Sequence, residues 1–267
     1  MKAFGPVHAF FNAWVFLTRL PCPDWVEHSA RHQSQAACHA PLIGIIVGGV
    51  TGLLVIGLAL IWPPAVVVAL SMAFSVWLTG AFHEDGLGDV CDGFGGGWSR
   101  DQTSAIMKDS RIGAFGTIGL VLILLIKYVT LTEIVRLLLV ANSETTQWAY
   151  TLAWMLVAGH SLSRFAAVSF MFTDAYAGSD QASKSGFIAT PMRISGFLYA
   201  AGCGLISLLV LSFWYPLAVI ALPAVWFTRA YMRRLFTRRL GGYTGDCLGA
   251  VQQLTEVVFY LSVCAVL

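Results

Sequence analysis

Long apolar stretches recur along the whole chain, separated by short polar connections. Runs at 41–61, 64–82, 113–140, 147–172, 195–213, 215–230 and 248–267 predict about seven membrane-spanning helices, because a hydrocarbon core of about 30 Å takes about 20 helical residues to cross. Trp62, Pro63 and Pro64 divide the first two runs, and Trp214, Tyr215 and Pro216 the fifth and sixth. Each pair reads as a helical hairpin with aromatic rings at its tip, where such rings prefer the membrane interface. The earlier segment FFNAWVFL is shorter, lacks a small-residue cleavage site and runs into Arg19 and Pro-Cys-Pro. It predicts an amphipathic or interfacial entry helix rather than a signal peptide. The expected fold is therefore all-α: a polytopic transmembrane bundle forming a single integral-membrane domain over 1–267.

Composition agrees. The chain is 57% hydrophobic and 11% charged, against roughly 25% charged in an ordinary soluble domain, so its partner is the lipid bilayer and no nucleic acid is expected. Charge adds an orientation. With seven spans, Lys2, Arg19, Arg31, Arg100, Lys108, Arg111, Lys184, Arg193, Arg229, Arg233, Arg234, Arg238 and Arg239 lie on or beside one face, whereas the loops at 62–64, 141–146 and 214–216 carry no Lys or Arg. By the positive-inside rule that basic face is cytoplasmic. The six cysteines form no CxxC pair, which argues for neither disulfides nor an iron–sulfur cluster. His28, His32, Cys38 and His39 make a weak zinc pattern, with a polar loop touching substrate or headgroup as the alternative.

Against this background one stretch stands out, HEDGLGDVCDGFGGG at 83–97. Glu84, Asp85, Asp89 and Asp92 fall among six glycines on the face assigned as cytoplasmic. In a helix, Asp85, Asp89 and Asp92 stand at i, i+4 and i+7 on one side, with Glu84 beside them. Carboxylates so crowded call for a cation, and hard oxygen ligands suit Mg²⁺ or Mn²⁺ shared with substrate phosphates. Gly93, Gly95 and Gly96 would let a phosphate ester approach the backbone, and GFGGG could present N–H groups to an anion. A solvated acidic loop and an ion-transport site are the competing readings. Inside the spans, Lys127 can snorkel, whereas His160, Arg164 and Glu256 point to a bundle interior or watery cavity, for instance through an Arg164–Glu256 pair.

Two more polar segments complete an anion-handling set. MKDSRIG at 107–113 offers Lys108 and Arg111, with Asp109 as a further metal ligand or an orienter of arginine and Ser110 as a hydrogen-bond donor or helix cap. RRLGGYTGDCLGA at 238–250 offers Arg239, Thr244 and Asp246 in the same ways. Carboxylates for metal and basic groups for phosphate at a membrane surface suggest phosphoryl transfer between a polar nucleotide and a membrane-held partner.

FLTRLPCP at 16–23, FHEDGLGDVCDGFGGG at 82–97, IMKDSRIGAFG at 106–116 and GGYTGDCLGA at 241–250 closely resemble the cobalamin synthase family, adenosylcobinamide-GDP ribazoletransferase, in the same order over nearly the whole chain. The resemblance implies a Mg²⁺-dependent, multi-span enzyme of the bacterial inner membrane. It would join adenosylcobinamide-GDP to α-ribazole or its 5′-phosphate, releasing GMP and forming adenosylcobalamin or its 5′-phosphate. It further implies Asp85, Asp89 and Asp92 as metal ligands. Gly88 and Cys91 stand at variable places of the family's wording, and Glu84 stands where an apolar residue is more usual, so Glu84 is the less secure ligand. On this reading Lys108, Arg111 and Arg239 clamp phosphate oxygens, His83 or Glu84 serves as base, and Arg164 supports the substrate site. Pathway logic alone adds a homo-oligomer or other cobalamin-assembly enzymes as partners. Two alternatives compete: a CDP-alcohol phosphotransferase, whose Ala–Arg pair is missing after Asp85–Gly86, and a cation-coupled transporter.

Overall fold

The computed structural model describes residues 5–141, 147–178 and 188–267, leaving Lys2, Lys184 and the loop at 142–146 outside the described residues. Twelve α-helices make up these parts. In chain order they are α1 (Gly5–Leu17), α2 (Ala30–Ala36), α3 (Ala40–Leu58), α4 (Pro64–Thr79), α5 (Phe82–Gly96), α6 (Arg100–Met107), α7 (Ala114–Ala141), α8 (Gln147–Val168), α9 (Phe170–Thr173), α10 (Ile194–Trp214), α11 (Ala221–Leu240) and α12 (Gly245–Cys264). Among the described residues the only β-type pairing is an isolated bridge between Tyr176 and Tyr243.

Five helical segments are long and apolar enough to cross a membrane: Ala30–Leu58, Ala114–Val140, Gln147–Thr173, Ile194–Trp214 and Gly245–Cys264. A sixth is reached if α4 and α5, which meet at 88°, count as one broken span. This falls short of the seven expected, for two reasons. The run at 215–230 becomes a 3₁₀ turn at Pro216–Ile220 followed by α11, which carries Arg229 near its middle and Arg233, Arg234, Arg238 and Arg239 in its C-terminal half. The run at 64–82 yields only sixteen helical residues before the chain turns. That turn is made by Gly80 and Ala81, both with positive φ (69° and 58°); Gly80 adopts this conformation without cost, whereas Ala81 carries a Cβ into it.

α8 is the axis of the bundle. Its most apolar window is 94% buried, against 33% in α7 and 28% in α10, which face outward. α3 lies directly on it because Gly44, Gly48 and Gly52 present no side chains. A Cβ at Gly44 would come within 2.4 Å of the His160 carbonyl oxygen, and one at Gly48 within 2.6 Å of the Val157 Cα. Small residues every fourth position allow this close approach, which is how apolar helices gain attraction where lipid offers no hydrophobic drive. α1 has thirteen residues, too few to span, and buries Ala9, Asn12, Ala13 and Leu17.

Candidate active site

The acidic stretch is a helix throughout. α5 runs from Phe82 to Gly96, so Asp85, Asp89 and Asp92 do share one side of it, at increasing depth: Asp85 is exposed, Asp89 half-buried and Asp92 buried. α12 crosses α5 at close range. A Cβ on Gly86 would stand 2.9 Å from the Asp246 carbonyl oxygen, and one on Gly249 would stand 3.1 Å from that of His83. This crossing brings Asp246, from the first turn of α12, within repulsive range of Asp85 and Asp89. Thr244 caps α12, its hydroxyl accepting from the Cys247 N–H at 3.3 Å.

Asp92 has another occupation. Its Oδ2 accepts from the Gly113 N–H at 2.6 Å and its Oδ1 from the Gly116 N–H at 2.8 Å. Both oxygens therefore hold the start of α7, satisfying amides that the first helical turn leaves unpaired and matching negative charge to the positive end of the helix. Among the described residues no group of three His, Cys, Asp or Glu side chains is placed to hold a metal ion by itself. A hard cation would need substrate oxygens to complete its shell, as Mg²⁺ ordinarily does. The histidine pattern of the N-terminal region is likewise dispersed: His28 bonds Asn12, His32 stacks on His8, and His39 meets Tyr199.

The glycines of GFGGG serve packing. They lie inside α5 up to Gly96, so their amides belong to the helix and not to an anion-holding loop. A Cβ at Gly93 would strike Met107, at Gly95 Phe115 and at Gly97 Thr103, each at 2.5 Å or less; Gly96 has Ile106 at 3.3 Å. Arg239 closes this end of α5, donating to the carbonyls of Phe94 and Gly97 and lying over the Phe94 ring at 5.3 Å. Its guanidinium thus satisfies orphan carbonyls rather than standing free for phosphate.

On the 108–113 connection, Lys108 ends α6 and is exposed with Ser110 and Arg111. Arg111 forks onto Asp109, with Nη2–Oδ2 at 2.7 Å, and those hydrogen bonds hold the Asp109 carboxyl down at about 2. Asp109 therefore orients an arginine. Tyr243, by contrast, is buried, its hydroxyl donating to the Ile188 carbonyl at 2.8 Å.

Behind α5 lies a buried polar network that the sequence only partly announces. Lys127 does not snorkel: its Nζ meets Glu256 Oε1 at 2.6 Å, with the two side chains 7% and 0% exposed. Glu256 also accepts from Gln252 at 2.6 Å and from the Tyr260 hydroxyl at 3.2 Å, and lies 3.5 Å from His160 Nδ1. Arg164 reaches this group through His160, with contacts of 3.1 Å to the ring and 3.0 Å to the carbonyl. The direct partner of Glu256 is thus Lys127 rather than Arg164. Glu84 faces the same interior, its Oε1 accepting from Gln253 at 2.9 Å, and His83 is buried next to it. Sequence reasoning also passed over Asp174, which takes Arg233 Nε at 2.6 Å and Arg229 Nη2 at 3.4 Å. The signals for these partners were Gln252, Gln253 and Glu256 close together in one apolar run, and an aspartate at the end of another.

Fold and site together define a polytopic, all-helical membrane protein with a carboxylate-lined helix crossing and basic groups on the neighbouring loop. The family model for cobalamin-5-phosphate synthase matches residues 9–265, and the chain belongs to that family. It is 37% identical over 266 residues to an adenosylcobinamide-GDP ribazoletransferase of Shewanella frigidimarina, covering 100% of this chain and 97% of the relative. The protein of the same description from Leptothrix cholodnii is 41% identical (94% and 93% covered), and that from Shewanella pealeana 39% (96% and 94%). No solved structure matches.

Proposed function

We propose that this member of the family transfers the adenosylcobinamide phosphate moiety of adenosylcobinamide-GDP to α-ribazole or its 5′-phosphate, releasing GMP. The observation that carries the reading is the meeting of Asp246 with Asp85 and Asp89. Two motifs far apart in sequence deliver carboxylates to one helix crossing. Whole-length relatives described as ribazoletransferases support it, and the CDP-alcohol phosphotransferase and transporter alternatives gain nothing from the comparisons.

In either form of the acceptor, a ribose hydroxyl other than the 5′ one bonds through its oxygen to the phosphorus nearer cobinamide, so that a 5′-phosphate, where present, is retained in the product. The bond from that phosphorus to the bridging oxygen breaks, and GMP leaves with that oxygen. The hydroxyl proton passes to water at the exposed face of the cluster. Lys108 and Arg111 offer charge to the phosphate oxygens from the exposed loop, Arg111 aimed by Asp109. Asp85, Asp89 and Asp246 suit Mg²⁺, being hard oxygen donors gathered without a shared cage, and the ion when bound would neutralise the diphosphate. Asp92 and Arg239 fix the two helix ends that frame the cluster, while Glu84 and His83 are turned inward and act from behind it, not as bases. We infer a cytoplasmic position for this face from the basic connections beside it, and the bacterial inner membrane from the family's ribazoletransferase reading.

Purified protein in nanodiscs with Mg²⁺, adenosylcobinamide-GDP and α-ribazole should release GMP only when both substrates are present. Absence of turnover from folded protein, or GMP release without ribazole, refutes the assignment.

A further inference from the structure

An open groove of about 700 Å³ lies where α1, α2 and the start of α10 meet beside the connection that leads into α10. Its size falls within the roughly 300–1,000 Å³ of small-molecule sites. The walls are tied to one another: His39 Nδ1 meets the Tyr199 hydroxyl of α10 at 3.1 Å, and the Met192 N–H donates to the Met171 carbonyl at 2.8 Å. The lining is of two kinds, with Arg31, Arg193, Ser34 and Ser195 polar, and Ala9 and Met171 apolar; among the described residues that line it there is no Asp or Glu. Arg31 and Arg193 are exposed, and among the described residues neither side chain has an ion pair or hydrogen bond. Two guanidinium groups at one groove without a counter-charge suit a phosphate, whose geometry their forked donors match.

The position of the groove bears on which phosphate. α12 runs antiparallel to α8, since Gln252 meets Ser163 at 3.1 Å and Tyr260 lies against Gly159. The end of α8 near Met171 and the start of α12 that carries Asp246 therefore share one end of the bundle, and the groove lies at that end. The helical segments that contain α3 and α10, both long and apolar enough to span, begin here, which sets the groove at the level of the membrane surface. From it Ile194 and Leu198, exposed and one turn apart on α10, continue as an apolar strip.

We propose that this groove binds the headgroup of an anionic phospholipid, with Arg31 and Arg193 on its phosphate and its acyl chains along Ile194 and Leu198. Basic pockets between spanning helices are a recurrent means of holding such headgroups. A phosphate diester that carries acyl chains uses both the arginines and the apolar strip. A soluble phosphate ester would use the arginines alone, and a choline headgroup would bring a further positive charge beside them. The proposal also gives the polar segment around His28, His32, Cys38 and His39 a role other than metal binding: α2 presents Arg31 and Ser34, and His39 holds the opposite wall through Tyr199. It does not depend on the transferase reading.

The test uses the full-length protein in detergent, given phosphatidylglycerol and phosphatidylcholine of matched chains in equal amounts, with bound lipid read by native mass spectrometry. Wild-type protein should retain phosphatidylglycerol in preference to phosphatidylcholine. Arg31→Gln combined with Arg193→Gln should lower that retention about tenfold or more, the scale of losing a hydrogen bond to a charged group. Arg234→Gln combined with Arg238→Gln, which removes two exposed cations of α11 outside this groove, should leave it unchanged. Ser34→Glu keeps both arginines but adds a carboxylate to the lining; it should lower retention as well, and it carries the test if the first pair of substitutions prevents folding. Glycerol 3-phosphate, similar headgroup chemistry without chains, should displace the lipid only at far higher concentration. Equal retention of the two lipids, equal loss in both double variants, or unchanged retention in folded Ser34→Glu protein overturns the proposal. Displacement by glycerol 3-phosphate at the concentration of the lipid itself also overturns it, by assigning the groove to a soluble phosphate ester.

Discussion

Asp89 and Asp92 lie three positions apart in one helix and have different surroundings. Asp89 faces Asp246 across the α5–α12 crossing, whereas both oxygens of Asp92 are taken by the amides that begin α7. Substitution separates them. Asp89→Asn should lower turnover by about 10²-fold or more, the scale of losing an electrostatic contact at a transferring group, while thermal unfolding in detergent stays near wild type. Asp92→Asn should instead cost about 1.5–3 kcal/mol of stability, because charge-assisted bonds to two amides are weakened. Glu256→Gln is expected to be harsher, about 3–5 kcal/mol, since Lys127 is left buried without its counter-charge; the same unfolding measurement reads it. The chemistry-bearing residue types were legible from spacing alone, but their division of labour was not. Nothing in the order Asp85, Asp89, Asp92 tells which carboxylate turns toward α7, because that depends on where Gly113 and Gly116 arrive.

The α-helices themselves were mostly legible, since uniform apolar runs betray spans without any need for periodicity. What escaped was the bend. Gly80 and Ala81 adopt positive φ in succession, and an alanine there gives no warning of a right angle. The glycine row after Asp92 conceals its helix for the opposite reason: glycine is a poor helix former, yet here each missing side chain makes room for α6 or α7. Gly86 tests this view of the crossing. Gly86→Ala would push a methyl group into the Asp246 backbone, which cannot rotate away as a side chain could. A destabilisation of about 1–3 kcal/mol, typical of overpacking, should accompany a fall in kcat larger than that of Gly57→Ala, whose Cβ would meet open space.

At the scale of the whole molecule, charge asymmetry is the basis of the proposed cytoplasmic orientation. Trp98, 94% exposed just beyond α5, is a convenient reporter. In a background with the native cysteines replaced, Trp98→Cys should react with a membrane-impermeant maleimide in inside-out vesicles and be protected in right-side-out ones; the reverse pattern overturns the cytoplasmic assignment.

The Lys127–Glu256 pair bears on how such a chain is made. α7 enters the membrane carrying a lysine whose counter-ion has yet to be synthesised, and until α12 emerges that ammonium must reach headgroups or water. Release of α7 from the insertion machinery into lipid is therefore tied to translation of a distant helix. Ribosome-bound intermediates stalled before Glu256 should keep α7 cross-linkable to the translocon, and those stalled well after it should not.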